Sequence, residues 1–348
     1  MMKLPSKMQA AVFEGQGILS VKDVPLPTIE EDNQALVQIE AASICGTDIH
    51  VLSVPPRYEA PPNIILGHEY VGKIVDLGDK VNHFNIGDRV VVAPNISCGK
   101  CFYCLNNLPH MCREIRTLGL HIDGAFAQYG AVPAGQLYRI SEDISANTAA
   151  CVEPLSCVIQ GTTKLKIQPG ETVVVLGAGP IGLLFTMIFK ASGAGRIIVS
   201  EKSNYRGKYA REVGADVVVN PQEADLEETI KKETDIGADV VVDAVGELFD
   251  QTLNLVRRAG RILLFGMNEK ALVNIAQSLI TRNELQIFGA YVGTAVFTSA
   301  IRILESQTID VKKIITHVIP LHQIHEGIEI LRNQRGIKVI IKPWGHDS

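Results

Sequence analysis

The chain has 348 residues, of which 46% are hydrophobic and 20% charged, and its formal net charge is -5. This composition is typical of a globular protein with two domains, since a single core rarely grows beyond about 250–300 residues. The acidic balance disfavours nucleic acid or an anionic membrane as a partner. No apolar run approaches the roughly 20 residues that a membrane-spanning helix needs.

The first eleven residues lack an apolar core followed by a cleavage-like site, so we expect no signal peptide and a cytoplasmic location. The chain contains seven cysteines, four of them closely spaced. In a leaderless chain this pattern is typical of metal ligands in a reducing compartment and not of a disulfide framework.

Short strands are predicted over residues 9–150, for example Ala10–Phe13 and Ala35–Ile39, which are bounded by glycine and proline turns. They indicate an all-β domain. The proline-rich stretch Ser53–Pro62 is predicted to be a loop. Its Arg57 and Tyr58 either contact the substrate or merely cover the loop.

Two motifs in this region carry groups that suit a catalytic zinc. Cys45 opens the first and His68, followed by Glu69, closes the second. Sulfur and nitrogen ligands with one position left open are characteristic of catalytic zinc. Thr47 and His50 could pass a proton from that position to solvent. The alternative is that Cys45 and His68 are unrelated core residues.

Four cysteines at C-x2-C-x2-C-x7-C spacing form the most specific signal in the sequence. They are Cys98, Cys101, Cys104 and Cys112. Four thiolates close a tetrahedral shell around one zinc ion and leave no place for water, which predicts a structural site. An iron–sulfur cluster is the main alternative, but no Cys-Pro follows the run.

Glu153 is followed directly by Pro154. The proline predicts an extended backbone at Glu153 and a helix that starts just after it. We interpret Glu153 as a further ligand of the metal or of a metal-bound water. Without the upstream cysteines it would be interpreted as a carboxylate at a helix N-terminus.

From Gly170 the pattern changes to alternating strands and helices. Six strands are predicted between Thr172 and Gly289, the number found in a doubly wound dinucleotide-binding domain. The first strand runs into a G-x-G-x-x-G turn that opens a helix. The turn spans Gly177–Gly182, and its candidate cofactor-binding residues are Gly177, Gly179, Pro180, Ile181 and Gly182. Its glycines permit a tight turn, close approach of a pyrophosphate and close helix packing, and the helix N-terminus offers free amides.

The second of these strands ends at Glu201. A carboxylate there binds the adenosine ribose and repels a 2′-phosphate, which favours NAD over NADP. Lys202 and Arg206 lie nearby and would soften this preference. Further along, His322, His325, Glu326 and Glu329 fall at helical spacing, and we interpret them as a solvated helix face and not as a metal site.

Taken together, these motifs resemble the zinc-dependent medium-chain dehydrogenases over nearly the whole chain. Glu153-Pro154-Leu155, in place of a cysteine ligand, is similar to the polyol (sorbitol-like) and threonine dehydrogenase branch, and the complete cysteine lobe resembles its bacterial members. The resemblance implies an α/β fold, in which a GroES-like β-rich catalytic domain (1–154 and 294–348) receives an inserted Rossmann domain (155–293). It also implies homodimers or homotetramers.

The resemblance further implies two zinc ions per chain, NAD as cofactor and a small-molecule alcohol as substrate. Cys45 and His68 would bind the catalytic zinc, and Glu69 and Glu153 would share the remaining places. Thr47 would take up the proton and His50 would relay it. The turn residues, Glu201 and Arg206 would bind the dinucleotide.

The expected reaction transfers a hydride from a secondary alcohol of a polyol or polyol phosphate to NAD and gives the ketose. A threonine-type dehydrogenase is the first alternative. The second is a relative of another class, either a non-catalytic nucleotide-sensing protein or a zinc-free quinone reductase. The ligands retained at Cys45, His68 and Glu153 disfavour the zinc-free reductase.

Overall fold

The computed structural model describes residues 4–293 and 295–345, and these form two compact units. The first unit contains the chain up to Pro154, Phe297–Ser306, and the chain from Ile315 onward. The second contains Leu155–Val296 and Gln307–Ile314. Residues 295–296 and 307–314, which the resemblance assigns to the catalytic domain, therefore lie in the second unit.

Up to residue 150 the described chain is built mainly from short strands. The strands are β1 (Lys7–Gly15), β2 (Ile18–Pro25), β3 (Gln34–Ser43), β4 (Ile64–Ile65), β5 (Glu69–Leu77), β6 (Arg89–Val92), β7 (Asn95–Ile96), β8 (Arg116–Thr117), β9 (Tyr129–Pro133) and β10 (Leu137–Arg139). The helices are α1 (Gly46–Val51), α2 (Phe102–Leu105) and α3 (Ala146–Ala149).

Strands and helices then alternate. The helices are α4 (Val152–Leu165), α5 (Pro180–Ala191), α6 (Asn204–Glu212), α7 (Leu226–Thr234), α8 (Phe249–Leu255) and α9 (Gln277–Arg282). The strands are β11 (Thr172–Leu176), β12 (Arg196–Ser200), β13 (Val217–Val219), β14 (Ala238–Asp243), β15 (Val256–Leu264) and β16 (Gln286–Gly289). The last elements are α10 (Phe297–Glu305), β17 (Ile315–Pro320), α11 (Ile324–Arg332) and β18 (Lys338–Lys342). No helix of the described residues has the length and apolar character that crossing a membrane requires.

The first unit is organised around a seven-stranded sheet. Its strand order is β10-β6-β5-β3-β18-β17, and β9 pairs with β3 outside this path. A smaller sheet has the order β2-β1-β4. Apolar side chains from both sheets and from α11 form one buried cluster. Strand β18 pairs with β3 on one side and with the edge strand β17 on the other, so it lies inside the large sheet.

The second unit contains one parallel sheet with the strand order β13-β12-β11-β14-β15-β16. Counted along the chain, this is the order 3-2-1-4-5-6 of the doubly wound dinucleotide-binding fold. Residues Val173–Leu176 of β11 are fully buried, as expected for a strand covered on both faces. The six predicted strands and the predicted fold class are confirmed.

Candidate functional site

Three possible metal ligands converge in the first unit. Cys45 precedes α1, His68 precedes β5, and Glu69 is the first residue of β5. One ligand atom from each lies within 4.8 Å of the other two. His68 and Glu69 are buried, and Cys45 is half-buried. A sulfur, a nitrogen and an oxygen donor form a ligand set that suits zinc and leaves a fourth position open.

The turn that presents His68 depends on a glycine. Gly67 has φ +93°, and a Cβ at this position would approach the Phe126 ring to 2.7 Å. Any other residue would therefore be strained and would collide with a fully buried aromatic side chain. The sequence Gly67-His68-Glu69 thus fixes the direction in which both ligand side chains leave the backbone.

Asp48 supports the imidazole of His68. Its Oδ1 lies 3.6 Å from His68 Nδ1, while its Oδ2 accepts a hydrogen bond of 2.8 Å from the backbone N–H of Cys45. Asp48 is completely buried. Among the described residues neither Asp48 Oδ1 nor His68 Nδ1 has a hydrogen-bond partner. A carboxylate against Nδ1 is the arrangement that directs Nε2 of a histidine toward a metal.

The charges around His68 favour a cation. Burial lowers the pKa of His68, but the Cys45 sulfur and the Asp48 carboxylate raise it more strongly, so that its pKa lies well above the ordinary value. The Cys45 sulfur and the Asp48 carboxyl therefore both lie beside the imidazole in a buried site. A zinc ion would take the place of the proton that this arrangement attracts.

Glu69 forms an ion pair with a lysine from the other end of the chain. Its Oε2 accepts hydrogen bonds from Lys338 Nζ and from Ser43 Oγ. Lys338 is 2% exposed. Burial opposes its charge, but Glu69 and Cys45 raise the pKa of Lys338 above the ordinary value of lysine. Lys338 is therefore a buried cation that contacts the candidate metal ligand Glu69.

Thr47 and His50, the predicted proton path, both lie in α1 and are half-buried. Thr47 Oγ1 is 3.7 Å from Cys45 Sγ, so its hydroxyl lies beside the candidate metal position. Burial and the charge of Arg57 lower the pKa of His50. His50 is therefore neutral near pH 7 and able to accept a proton.

Glu153 is 8% exposed and lies in the first turn of α4. The helix begins at Val152, so the predicted extended backbone at Glu153 and the predicted helix start after it are wrong. A proline in the first turn of a helix loses no hydrogen bond, because the first N–H groups have no partner within the helix. Glu153 is not part of the group formed by Cys45, His68 and Glu69.

The four cysteines of the lobe also converge, with all four sulfurs within 4.8 Å of one another. The Cys101 sulfur lies 3.5 Å from that of Cys104 and 3.9 Å from that of Cys112. Zn–S bonds of 2.3 Å in a tetrahedron give a sulfur–sulfur distance of about 3.8 Å. The two observed sulfur–sulfur distances, 3.5 Å and 3.9 Å, therefore fit a single zinc ion.

The thiols of the lobe also differ in acidity. A backbone N–H at Cys104 lowers the pKa of Cys101 to about 6, while burial raises the pKa of Cys104 to about 11.

The predicted dinucleotide turn lies in the second unit, between β11 and α5. A Cβ at Gly182 would lie 1.9 Å from the carbonyl oxygen of Gly177, so only glycine fits. Gly179 precedes α5, and Pro180 and Ile181 begin it. The N-terminus of this helix offers its free amides to an anionic group.

Glu201 and Arg206 lie beside this turn. The Glu201 carboxylate accepts hydrogen bonds from the backbone N–H groups of Ala178 (2.7 Å) and Ser203 (2.8 Å). A Cβ built on Gly179 would lie 3.9 Å from the Arg206 guanidinium, whose Nε is buried without a hydrogen-bond partner in the described chain. The structure therefore places a fixed carboxylate and an incompletely bonded guanidinium beside the turn.

Comparison with known proteins agrees with this geometry. Residues 31–142 match the alcohol dehydrogenase GroES-like domain, and residues 180–306 match the zinc-binding dehydrogenase domain. A sorbitol dehydrogenase of Bacillus subtilis is 32% identical, with 98% of each chain covered. An L-threonine 3-dehydrogenase of Pyrococcus horikoshii is 34% identical, covering 91% of this chain and 92% of the relative. A solved zinc-binding dehydrogenase from Sinorhizobium meliloti, bound to NADP, superimposes with a TM-score of 0.92 at 32% identity, covering 97% and 100% of the chains.

The chain belongs to the zinc-dependent medium-chain dehydrogenases. The predicted family, its polyol and threonine branch, and the predicted enzyme class are confirmed. The dehydrogenase is an oxidoreductase that acts on the CH–OH group of alcohols. The roles of its individual site residues stay predictions.

Sequence reasoning missed three residues of the dehydrogenase that contact its candidate zinc ligands. Asp48 could have been found, because a buried acid three residues after Cys45 closes the first turn of α1. Ser43 and Lys338 gave no local signal. Lys338 stands in an apolar strand, 269 residues away from the glutamate that it contacts. The predicted solvated face is observed: His322, His325, Glu326 and Glu329 are exposed.

Proposed function

We propose that this dehydrogenase oxidises a secondary alcohol of a polyol or polyol phosphate to the ketose, with NAD as the hydride acceptor. The observation that carries this proposal is the convergence of Cys45, His68 and Glu69 in a chain that also contains the glycine turn of a dinucleotide-binding fold. Relatives that act on sorbitol, D-arabinitol and erythritol support the substrate class.

Cys45, His68 and Glu69 would hold the catalytic zinc. Zinc bound there supplies Lewis-acid chemistry, which lowers the pKa of an alcohol hydroxyl in its open position. Thr47, beside Cys45, accepts the hydroxyl proton, and His50 passes it to solvent. Glu153 lies outside the three-atom group, and we propose that it would contact a water bound to the metal and not the metal itself.

The second unit would hold the dinucleotide, whose nicotinamide accepts the hydride. The amides at the start of α5 bind the pyrophosphate, and Glu201 binds the adenosine ribose diol. The carboxylate of Glu201 is fixed by two backbone N–H groups, which supports NAD over NADP. Arg206 opposes this preference in part, since a guanidinium attracts a 2′-phosphate.

We further propose that a second zinc ion bound by the four cysteines has a structural role. The cytoplasmic location and the assembly into homodimers or homotetramers stay predictions. An amino-alcohol substrate is the second candidate, because the threonine dehydrogenases of Pyrococcus and Thermococcus are 32–34% identical.

A substrate panel with metal analysis tests the proposal. We expect about two zinc ions per chain and NAD reduction with one or more pentitols, hexitols or their phosphates in preference to L-threonine. L-Threonine as the best substrate would replace the polyol assignment by the amino-alcohol one. The absence of zinc, or of NAD reduction with any member of the panel, would contradict the proposed function itself, and a single zinc ion would contradict the second zinc site.

A further inference from the structure

The carboxylate of Glu69 is held by one of its two oxygens. Both the Lys338 ammonium and the Ser43 hydroxyl donate to Oε2. All three side chains are buried, with exposures of 1% for Glu69, 2% for Lys338 and 0% for Ser43. Charged groups at this depth need compensating partners, and each of the two charged groups provides one for the other.

The three side chains come from three adjacent strands of the large sheet. Ser43 of β3 lies directly opposite Glu69 of β5 and is also paired with Ile340 of β18. Lys338 of β18 extends across to Glu69, and its Nζ also donates to the carbonyl oxygen of Ile44, at 3.3 Å. Ile44 directly precedes Cys45. One ammonium group therefore links the segment that carries Cys45 to the carboxylate of Glu69.

We propose that Lys338 and Ser43 are positioning residues that keep Oε2 of Glu69 away from the catalytic metal, so that Glu69 binds it through Oε1 alone. This inference rests on the proposed function, in which Cys45, His68 and Glu69 hold that metal. It goes beyond that function because Lys338 and Ser43, which are not ligands, position a ligand. Lys338 lies on β18.

The number of ligands explains why this restraint matters. Cys45, His68 and a single oxygen of Glu69 supply three donors, and the fourth position stays open for the alcohol. A Glu69 carboxylate that used both oxygens would fill that position. The positive charge of Lys338 also withdraws electron density from Glu69, which leaves the metal a stronger Lewis acid.

Cobalt substitution tests the inference, because visible absorption of Co²⁺ reports the number of ligands without any need for turnover. The variants are Lys338→Met, Lys338→Arg and Ser43→Ala, with Lys342→Met as a matched control on the same strand. Cys45→Ala retains only the four-cysteine site for cobalt, so the spectrum of cobalt-loaded Cys45→Ala is subtracted from the spectrum of each other variant. Zinc affinity is measured in parallel by competition with a chelator.

For Lys338→Met we expect the absorption per catalytic cobalt to fall severalfold, because a fifth ligand weakens the tetrahedral spectrum. The zinc dissociation constant should change by about 10–100-fold, as is usual when the partner of a metal ligand is lost. Lys338→Arg should restore most of the parent spectrum, and Lys342→Met should leave it unchanged. kcat should fall more than KM rises.

Ser43→Ala removes only one of the two donors and should shift the spectrum in the same direction by a smaller amount. If Lys338→Met does not fold, Ser43→Ala alone tests whether Glu69 Oε2 is held away from the metal. A parent spectrum and parent zinc affinity in Lys338→Met, or in Ser43→Ala where only that variant folds, would overturn the inference. The proposed function fails separately, when the unsubstituted protein shows no Cys45-dependent cobalt spectrum.

Discussion

The imidazole of His50 is tuned by its surroundings to stay neutral. Burial is the larger cause and the positive charge of Arg57 the smaller one, and both lower the pKa of His50. The two residues are also linked through the backbone, since the N–H of Arg57 donates to the carbonyl oxygen of His50 at 3.0 Å. A group that relays a proton to solvent must be unprotonated when the proton arrives, and the lowered pKa satisfies this condition.

Replacing Arg57 by glutamine should therefore narrow the pH range of alcohol oxidation on the acid side. Without the nearby charge the pKa of His50 rises toward its ordinary value, so that His50 becomes protonated at a higher pH. Because Arg57 is exposed, the effect is modest, and we expect activity at pH 6 relative to pH 8 to fall about two- to threefold. The pH profile of kcat/KM and an NMR titration of the His50 ring measure this.

Arg57→Lys retains the charge and serves as the control, with an unchanged profile. An Arg57→Gln profile that superimposes on the parent profile would show that His50 does not carry the proton.

The metal ligands show what a sequence can and cannot predict at this scale. Cys45, His68 and Glu69 lie in short local motifs, and the four cysteines of the lobe have a characteristic spacing, so all of these residues were found as candidates. Lys338 and Ser43 act through side-chain contacts between strands that are distant in sequence. No local pattern contains that information, because it exists only once β18, β3 and β5 are paired.

At the scale of elements, the four-cysteine lobe has almost no core of its own. Helix α2 contains no buried residue, and its Phe102 and Leu105 are among the exposed large hydrophobic side chains. Burial of apolar surface therefore contributes little to its stability. The proposed zinc ion, bonded to the four sulfurs, would therefore hold the lobe in its shape.

Loss of one sulfur should therefore destabilise the lobe without removing the catalytic ligands. For Cys104→Ser we expect the zinc content to fall from about two ions per chain to about one. The midpoint of thermal unfolding should fall by about 5–10 °C, which corresponds to a loss of a few kcal/mol. Metal analysis and calorimetry measure both effects.

Cys157→Ser, at a cysteine outside the lobe, is the matched control and should keep both zinc ions. Retention of two zinc ions and of the parent unfolding temperature in Cys104→Ser would contradict the structural role of the lobe.

The elements also differ in how well the sequence predicts them. The β-branched run Thr172–Leu176 followed by a glycine turn predicted β11 and α5, because parallel strands buried on both faces have a strong apolar signal. The start of α4 was wrong by a few residues because the conformational bias before Pro154 is weaker than the helical context. The order of the strands in the first unit had no local signal, since short antiparallel strands pair across long loops.

At the scale of the whole molecule, every candidate metal ligand in the group of three and in the lobe belongs to the first unit. The glycine turn, Glu201 and Arg206 belong to the second. Each unit has its own sheet and its own buried cluster. Metal and dinucleotide should therefore stabilise different parts of the chain.

Hydrogen exchange after removal of zinc with a chelator should show this division. We expect exchange to accelerate by at least tenfold around α1, the start of β5 and the lobe, while β11 to β14 retain their protection. Addition of NADH should instead slow exchange at Gly177–Gly182. Equal loss of protection in both sheets on metal removal would contradict separate stabilisation.

The position of β18 also has a consequence for the order in which the protein matures on the ribosome. Strand β18 is synthesised after the parallel sheet of the second unit, whereas β3, its neighbour in the large sheet, is synthesised before it. The nascent first unit therefore has an unpaired β3 edge at Ala42 and Ser43 until β18 is made, and Lys338 reaches Glu69 only after the second unit has been synthesised. The contacts that hold the Glu69 carboxylate are therefore completed only after the chain of the second unit has been made.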